Sequence, residues 1–262
     1  MRSDLIYDVG ANNGNDTEHY LRRGFRVLAI EANPFLANAV RRRFETEVKD
    51  GRLTVLNVGI FERPGAFEFY VNETNDEHSS LDRDAGTRGR AFHKIEVECQ
   101  TFGSILAKYG TPYYLKIDIE RADIHCLREM NPDDLSTYVS VEAQDLEYLG
   151  YLQRLGYQQF KVIDQSTLNR PRSYHRESVV GRLASNLNHE WCRVKRHTGW
   201  GDNAFPIASS GNFGEDTPGP WRSLDEVAYE WLHVRLSMPR RGTLNPRGWY
   251  DFHAKFEPGT II

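Results

Sequence analysis

The chain has few cysteines: Cys99, Cys126 and Cys192 are the only three among 262 residues, and their spacing matches no metal-ligand motif. An odd number of separated cysteines is not typical of a disulfide-stabilised secreted domain and favours a reducing cytosol. The sequence also lacks a signal-peptide apolar region and any run near the ~20 apolar residues of a membrane-spanning helix. We therefore expect a cytoplasmic chain with no membrane partner.

An excess of positive charge is missing as well. The formal net charge is −4, from 33 basic and 37 acidic residues. Domains that bind nucleic acid or anionic membranes usually carry a basic surface, whereas the basic residues here form short clusters at positions 41–43 and 240–241. We interpret the first cluster as the solvated face of a single helix that the sequence predicts over residues 35–48. We expect no nucleic-acid partner, and the sequence does not indicate an oligomeric state.

Residues 4–15, which read DLIYDVGANNGN, predict a short apolar strand, a glycine turn and the start of a helix. A second apolar strand at residues 27–30 ends at Glu31. A doubly wound α/β sheet holds a nucleoside with this succession of strand, turn, helix and acid. The glycines let the backbone approach a ligand closely, and the acid accepts hydrogen bonds from two ribose hydroxyls.

The glycine spacing argues against a dinucleotide. Three residues separate Gly10 from Gly14, and Asn12 stands where the dinucleotide fingerprint requires its second glycine. The Asp8 carboxylate in the same turn would repel a pyrophosphate and attract an ammonium group. S-adenosylmethionine has a ribose and an amino-acid amine and no phosphate, so it fits both observations. A nicotinamide-dependent oxidoreductase and a non-catalytic nucleoside-binding module remain the alternatives.

Polar residues recur at or near the ends of predicted strands: Asp8, Glu31, Asn57, Asp118 and Glu142. Strand and helix patterns alternate along residues 5–163, which predicts a mostly parallel α/β sheet with right-handed crossovers. The carboxyl ends of parallel strands meet at one edge of a sheet, where ligands bind. We therefore expect these side chains to converge on one rim.

Three motifs resemble the FkbM-type S-adenosylmethionine-dependent methyltransferases: DVGANNGN at 8–15, LKIDIE at 115–120 and SVE at 140–142, with a weaker SSL at 79–81. The resemblance covers about residues 4–164. It implies a Rossmann-like class I methyltransferase fold, with a mostly parallel seven-stranded sheet and helices on both faces. It also implies an O-methyltransferase acting on a hydroxyl of a small molecule or carbohydrate. One departure is Arg121, where the family usually has glycine.

We expect three segments. Residues 1–164 form the cofactor-binding core, residues 165–245 an insertion, and residues 246–262 a final strand that, as the resemblance implies, inserts antiparallel beside the sixth. The sequence after residue 164 holds all five tryptophans and seven of the eleven prolines. We interpret the insertion as a lid over the active site, and a cap with only a packing role is the alternative. Its tryptophans suit stacking on sugar rings or flat scaffolds.

Within the core, residues 66–71 and 94–100 alternate in hydrophobicity and predict an antiparallel pair, with a loop over residues 72–90.

The predicted cofactor-binding residues lie in the first turn, at the predicted strand ends and in the SSL motif. They are Asp8, Gly10, Asn12, Asn13, Gly14, Asn15, Asp16, Thr17, Glu31, Asn57, Ser79, Ser80 and Asp118. Backbone donors at the first helix start would receive the ligand carboxylate. Glu31 would bind the ribose and Asn57 would meet the adenine. Asp118 and Glu142 are the predicted catalytic residues, and Asp118 acts as base or orienter at the methyl group.

A metal site is the less favoured hypothesis. Asp118, Glu120, Glu142 and Asp145 supply the oxygen ligands that Mg²⁺ prefers, but Glu120 would equally pair with a nearby cation. We therefore predict no metal ligand. Three histidines, which titrate near neutral pH, are alternative bases: His78, His125 and His175.

Overall fold

The structure is a computed structural model that describes residues 2–165, 167–171, 209–237 and 249–257. The chain divides into two compact units, Met1–Val141 and Glu142–Ile262. Most of the predicted lid, including His175, lies outside the described residues, so the lid stays a prediction.

The first unit contains a βα alternation that is interrupted once by a small second sheet. Its elements in chain order are β1 (Arg2–Val9), α1 (Asn15–Arg22), β2 (Arg26–Ile30), α2 (Pro34–Arg43), α3 (Glu45–Lys49), β3 (Leu53–Leu56), β4 (Gly59–Ile60), β5 (Gly65–Asn72), α4 (Arg83–Thr87), β6 (Phe92–Gln100), α5 (Phe102–Tyr109), β7 (Pro112–Ile117), α6 (Asp123–Arg128) and β8 (Tyr138–Glu142), of which only the last residue is assigned to the second unit. A 3₁₀ turn, Asp76–His78, lies between β5 and α4.

The second unit contains two helices and an antiparallel strand pair. Its elements are α7 (Glu147–Leu155), β9 (Gln159–Asp164), the 3₁₀ turn Gly214–Asp216, α8 (Leu224–Ser237) and β10 (Tyr250–Lys255). Gly156 ends α7 in a left-handed conformation, as a glycine directly after a helix predicts. β10 pairs antiparallel with β9, and Tyr250 lies opposite Asp164.

The large sheet has the order β3-β2-β1-β7-β8-β10-β9. The first five of these strands are parallel to their neighbours, which confirms a mostly parallel, Rossmann-like seven-stranded sheet. Central parallel strands are buried on both faces and therefore read as continuous apolar runs; Ile6, Tyr7 and Val9 of β1 are all fully buried. β2 and β3 lie on one side of β1, and β7 and β8 lie on the other. The crevice between β1 and β7 is thus the topological switch point, where open α/β sheets bind ligands.

The small sheet has the order β4-β6-β5, and its β5 and β6 form the antiparallel pair that the alternating pattern predicts. The sequence prediction was wrong in two details. The loop expected over residues 72–90 contains the short helix α4, which begins where the Asp82 carboxylate accepts a hydrogen bond from Ala85 N at 2.8 Å. The single helix expected over residues 35–48 is divided at Phe44, whose φ of −116° leaves the helical region.

None of the helices in the described part of the chain combines the length and apolar character needed to cross a membrane.

Candidate active site

Gly10 brings the turn after β1 against the loop after β7. Its φ is 81°, and a Cβ atom at this position would lie 1.8 Å from the carbonyl oxygen of Asp118. The nitrogens of Gly10 and Ala11 both donate to the carbonyl oxygen of Ile30, at 2.9 and 3.1 Å. No side chain fits here, so the two loops that flank the switch point touch through their backbones.

Asparagines hold the rest of this turn. Asn12 has a φ of 47°, a region that asparagine tolerates better than most residues. The side-chain oxygen of Asn13 accepts from Asn15 N at 3.1 Å. Arg43 Nη1 donates to Asn13 O at 2.8 Å and to Asn15 Oδ1 at 3.0 Å. Gly14, with a φ of 82°, then begins α1 without a side-chain cap of its own, and the first N–H of the helix, that of Asn15, is the one held by Asn13.

Glu31 is a buried carboxylate at the end of β2, 7% exposed. Its two oxygens each accept one backbone hydrogen bond, from Asn12 N and from Asn33 N, both at 2.8 Å. Burial raises the pKa of Glu31 to about 7, although these two N–H donors act in the opposite direction. Asn57 Nδ2 donates to the carbonyl oxygens of Glu31 and Ala32, both at 2.9 Å. Asn57 therefore fixes the backbone that carries Glu31.

A buried ammonium group lies at the centre of the site. Lys116 Nζ is 3.2 Å from Asp8 Oδ1, 3.3 Å from Asp16 Oδ2 and 3.8 Å from Asp118 Oδ2. Although burial alone would lower it, these three carboxylates hold the pKa of Lys116 well above its usual value. Thr17 Oγ1 donates to the second Asp8 oxygen at 2.6 Å. The network therefore contains three carboxylates and one ammonium group.

The sequence predicted an open Asp8 carboxylate in the turn, and this prediction was wrong. It is 0% exposed, and both of its oxygens have partners inside the fold, Lys116 and Thr17. Asp118 is the most open acid around Lys116, because 24% of its side chain is exposed, against 5% for Asp16. Burial raises the pKa of Asp118, and the neighbouring Lys116 opposes this rise.

The loop after β7 is joined to the connection between β5 and α4. Ser80 Oγ donates to the carbonyl oxygen of Glu120 at 2.7 Å, and Arg88 forms an ion pair with the Glu120 carboxylate. Burial and the nearby Asp118 raise the pKa of Glu120 to about 8, against the effect of Arg88. Of the SSL motif, Ser80 thus supports the backbone of the loop. Ser79 Oγ accepts from the Asn72 backbone at 3.2 Å.

Asp123 shapes the same loop from the start of α6. Its carboxylate oxygens accept from Ile119 N at 3.2 Å and from Arg121 N at 3.1 Å. Asp123 is fully buried, and this burial, together with Asp118, raises its pKa to about 7. Glu120 and Arg121 lie between these anchored positions, with positive φ values of 50° and 74°.

Glu142 and the two described histidines have the following contacts and surroundings. Glu142, the last residue of β8, belongs to the second unit and pairs with the side chain of Gln144. Burial, with the nearby charges of Arg88 and Arg90, lowers the pKa of His78 to about 4, so His78 is neutral at physiological pH. The His125 ring packs 4.9 Å from that of Phe61, and burial lowers its pKa also.

Among the residues that the structure describes, no three histidines, cysteines or acids form a group that could hold a metal ion. The physical reason is visible at Asp118 and Glu120, two of the four acids considered as Mg²⁺ ligands. The Lys116 ammonium lies among Asp8, Asp16 and Asp118, and Glu120 is paired with Arg88. These carboxylates therefore already have cationic partners from the chain itself.

Sequence reasoning missed three members of this network: Lys116, Asp123 and Arg88. Lys116 was detectable, because it lies two residues before Asp118 on the same face of β7, where period-two alternation places both side chains. Asp123 was detectable as an acid in the first turn of a predicted helix. Arg88 is 32 residues from Glu120 in the chain, and no local pattern connects the two.

Comparison with known proteins agrees with this geometry. The family described as Methyltransferase FkbM domain matches residues 8–176. Over 52 residues the chain is 38% identical to the probable ribosomal RNA small subunit methyltransferase A of Methanospirillum hungatei JF-1, a match that covers 20% of each protein. The chain thus spans about a fifth of the length of this curated relative.

Two solved structures are also similar. The C-terminal domain of precorrin-6Y C5,15-methyltransferase from Rhodobacter capsulatus shares 17% identity at a TM-score of 0.35, over 68% of this chain and 73% of that one. A SAM-dependent methyltransferase from Geobacter sulfurreducens, in complex with S-adenosyl-L-homocysteine, shares 12% identity at a TM-score of 0.36, over 98% and 86%. The fold assignment rests on the strand order and not on these weak similarities.

Proposed function

Because this chain belongs to the FkbM methyltransferase family, we propose that it transfers a methyl group from S-adenosylmethionine to a hydroxyl oxygen of a small molecule or carbohydrate. The single observation that carries this proposal is the position of Asp118. This partly exposed carboxylate follows β7 at the topological switch point, where the Gly10 turn packs against the backbone of Asp118.

The charge of the site supports a cationic ligand. Three carboxylates, those of Asp8, Asp16 and Asp118, surround the single ammonium group of Lys116. When all are ionised, the cluster carries an excess of negative charge in a largely buried environment, where Coulomb interactions are strong. Such a site favours the ammonium and sulfonium groups of S-adenosylmethionine. It disfavours the pyrophosphate of a nicotinamide dinucleotide, which is the ligand of the alternative function.

Glu31 and α1 supply the other groups that the cofactor needs. Each oxygen of the Glu31 carboxylate accepts one backbone hydrogen bond and keeps a second lone pair for a ribose hydroxyl. The helix N-terminus at α1 suits the carboxylate of the ligand. Asn12, Asn13 and Asn15 shape the turn between these two groups. Asn57, whose amide nitrogen holds the backbone of Glu31, remains the residue proposed to meet the adenine.

Catalysis requires an aligned acceptor hydroxyl and a destination for its proton. S-adenosylmethionine supplies an electrophilic methyl group, so alignment by the protein provides much of the rate. Asp118 orients the acceptor hydroxyl and accepts its proton. Its raised pKa makes it a stronger base than an ordinary aspartate. Glu142 remains the second proposed catalytic residue, and the insertion after residue 164 the proposed lid over the acceptor.

Calorimetry with the purified protein tests the cofactor. We expect micromolar binding of S-adenosylmethionine, no binding of NADPH, and no change on addition of Mg²⁺. Binding of NADPH alone would reverse the assignment in favour of an oxidoreductase. Binding of S-adenosylmethionine without methyl transfer to any acceptor would favour the non-catalytic module.

An Asp118→Asn variant tests the chemistry, with Asp50→Asn, at an exposed position after α3, as the matched control. A positioned base contributes about 10²- to 10⁴-fold, so we expect the turnover of Asp118→Asn to fall at least ~10-fold. Its affinity for S-adenosylmethionine should survive, and Asp50→Asn should match the wild type. Unchanged methylation by Asp118→Asn would remove this residue from the mechanism.

A further inference from the structure

Glu120 and Arg121 are two consecutive non-glycine residues with positive φ, 50° and 74°. Ala122 N donates to the carbonyl oxygen of Ile119 at 3.3 Å, so the two residues are the central pair of a tight turn. Turns with positive φ at both central positions are dominated by glycine, asparagine and aspartate, because a larger side chain strains the backbone there. Backbone strain of this kind tends to persist at functional sites.

The turn does not depend on the Arg121 side chain. Its backbone is held by Asp123, which accepts from the nitrogens of Ile119 and Arg121, and by Ser80, which donates to the carbonyl oxygen of Glu120. The Glu120 carboxylate is fixed by Arg88. Each of these contacts would form equally well with glycine at position 121, and glycine would relieve the strain.

The Arg121 guanidinium has no ion-pair or hydrogen-bond partner among the residues that the structure describes, and the residue is exposed. The nearby basic residues, in contrast, are paired with carboxylates. Lys116 is surrounded by three carboxylates, and Arg88 is paired with Glu120. A free guanidinium thus lies three residues after Asp118, at the carboxyl end of β7 and beside the switch point.

We infer that Arg121 binds an anionic oxygen group, a carboxylate or a phosphate, on the methyl acceptor, and so selects acidic acceptors. The planar guanidinium matches both groups in bidentate hydrogen bonding. The inference rests on the proposed methyl transfer and narrows its acceptor class. The acidic cluster around Lys116 would repel a negatively charged acceptor, so a cation at the rim is needed to offset that repulsion, and Arg121 supplies one.

The test uses acceptor pairs that differ only in charge: glucuronate against glucose, 3-hydroxybenzoate against 3-hydroxybenzyl alcohol, and glycerol phosphate against glycerol. Binding is measured by calorimetry in the presence of S-adenosylhomocysteine, and methyl transfer is measured with labelled S-adenosylmethionine. The variants are Arg121→Ala, which removes the guanidinium, and Arg121→Lys, which keeps the positive charge but cannot form the bidentate hydrogen bonds of a guanidinium. Arg42→Ala, at an exposed position on α2, is the matched control.

We expect the wild type and Arg42→Ala to bind the acidic member of at least one pair at least tenfold more tightly than its neutral partner. Arg121→Ala should lose this preference, and Arg121→Lys should keep part of it. If Arg121→Ala retains the preference, or if the wild type binds no acidic member more tightly, the inference is wrong. Acceptor binding alone decides between these outcomes. The proposed function fails on different results, namely when S-adenosylmethionine does not bind or no methyl group is transferred.

A stability measurement distinguishes this role from a structural one. Arg121→Ala keeps the Cβ atom and removes the guanidinium, so its urea unfolding midpoint should match that of the wild type. A lower midpoint would show that the guanidinium supports the turn, and it would overturn the inference.

Discussion

The Lys116 ammonium lies 3.2 Å from Asp8 Oδ1, and both side chains are buried, one 5% and the other 0% exposed. The pair joins β1 to β7 beneath the two loops that flank the switch point, and it adds Asp16 and Asp118 to one electrostatic unit. The stability of the core and the charge of the proposed cofactor site therefore depend on the same cation.

Replacement of Lys116 by methionine should destabilise the protein strongly. Removal of one partner from a buried ion pair leaves an uncompensated charge, which typically costs about 3–5 kcal/mol. We expect Lys116→Met to lower the free energy of unfolding by about this amount in urea titrations. Protonation of the acids left without a partner would reduce the loss at low pH.

The matched control is Lys94→Met, which removes an exposed lysine 2.8 Å from Glu68. Exposed pairs contribute about 0–1 kcal/mol, so this variant should remain close to the wild type. Equal losses in the two lysine variants would contradict the importance given to the buried network.

Gly10→Ala should be far more costly than Gly24→Ala, although both glycines have a positive φ, 81° and 86°. Both changes impose left-handed strain of about 1–2 kcal/mol. Only at Gly10 would the new Cβ meet an obstacle, the Asp118 carbonyl oxygen at 1.8 Å, whereas nothing lies within 4 Å at Gly24. We expect an additional loss of about 1–3 kcal/mol for Gly10→Ala, from the forced backbone shift.

Urea unfolding of the two alanine variants gives this difference directly. Because the shift would move Asp118, Gly10→Ala should also reduce methyl transfer, and Gly24→Ala should not. Similar unfolding midpoints for the two variants would mean that the loops after β1 and β7 are not in contact.

The affinity for S-adenosylmethionine should fall as the pH falls from 8 to 6. Glu31 accepts ribose hydroxyls best when ionised, and its pKa of about 7 means that it becomes protonated across this range. If the protonated form binds poorly, the dissociation constant rises by up to about tenfold. Glu31→Gln should bind more weakly at pH 8, by ~10- to 100-fold, because a charged acceptor is worth about 1.5–3 kcal/mol.

Calorimetry at several pH values checks this effect, with Glu68→Gln, at an exposed carboxylate, as the control. Glu31→Gln should lose most of the pH dependence, and Glu68→Gln should keep it. A Glu31→Gln variant with the wild-type profile would assign the titration to another group.

The parallel core was predictable because its strands are short, mostly apolar runs bounded by turn residues, and a carboxylate stands next to the last residue of β1 and of β7. The division of the helix at Phe44 was not, since it depends on tertiary packing: a Cβ at Gly14 would lie 2.8 Å from the Phe44 ring. The pairing of Asp8 inside the fold was not predictable either. It depends on Lys116, which is 108 residues away in the chain.

Stability should decrease as the pH rises from 5 to 7, and Asp123 should contribute much of the change. Burial raises its pKa from the usual 3.8 to about 7, so between these values the native state binds a proton that the unfolded state has released. The free energy of unfolding then falls with rising pH, by about 2 kcal/mol from pH 5 to pH 7 for this group alone. The stability that protonated Asp123 contributes is thus present at acidic pH and is lost as the pH rises through its folded-state pKa of about 7.

Asp123→Asn removes the titration and keeps the shape. The amide oxygen replaces only one of the two acceptors for Ile119 N and Arg121 N, so we expect a loss of about 1–3 kcal/mol at pH 5. The variant should nevertheless show a flatter pH dependence than the wild type in urea unfolding at pH 5, 6 and 7. Asp84→Asn, at an exposed position in α4, should keep the wild-type slope. If Asp123→Asn keeps that slope too, Asp123 is ionised throughout this range, and the acidic loop after β7 carries more negative charge than its burial indicates.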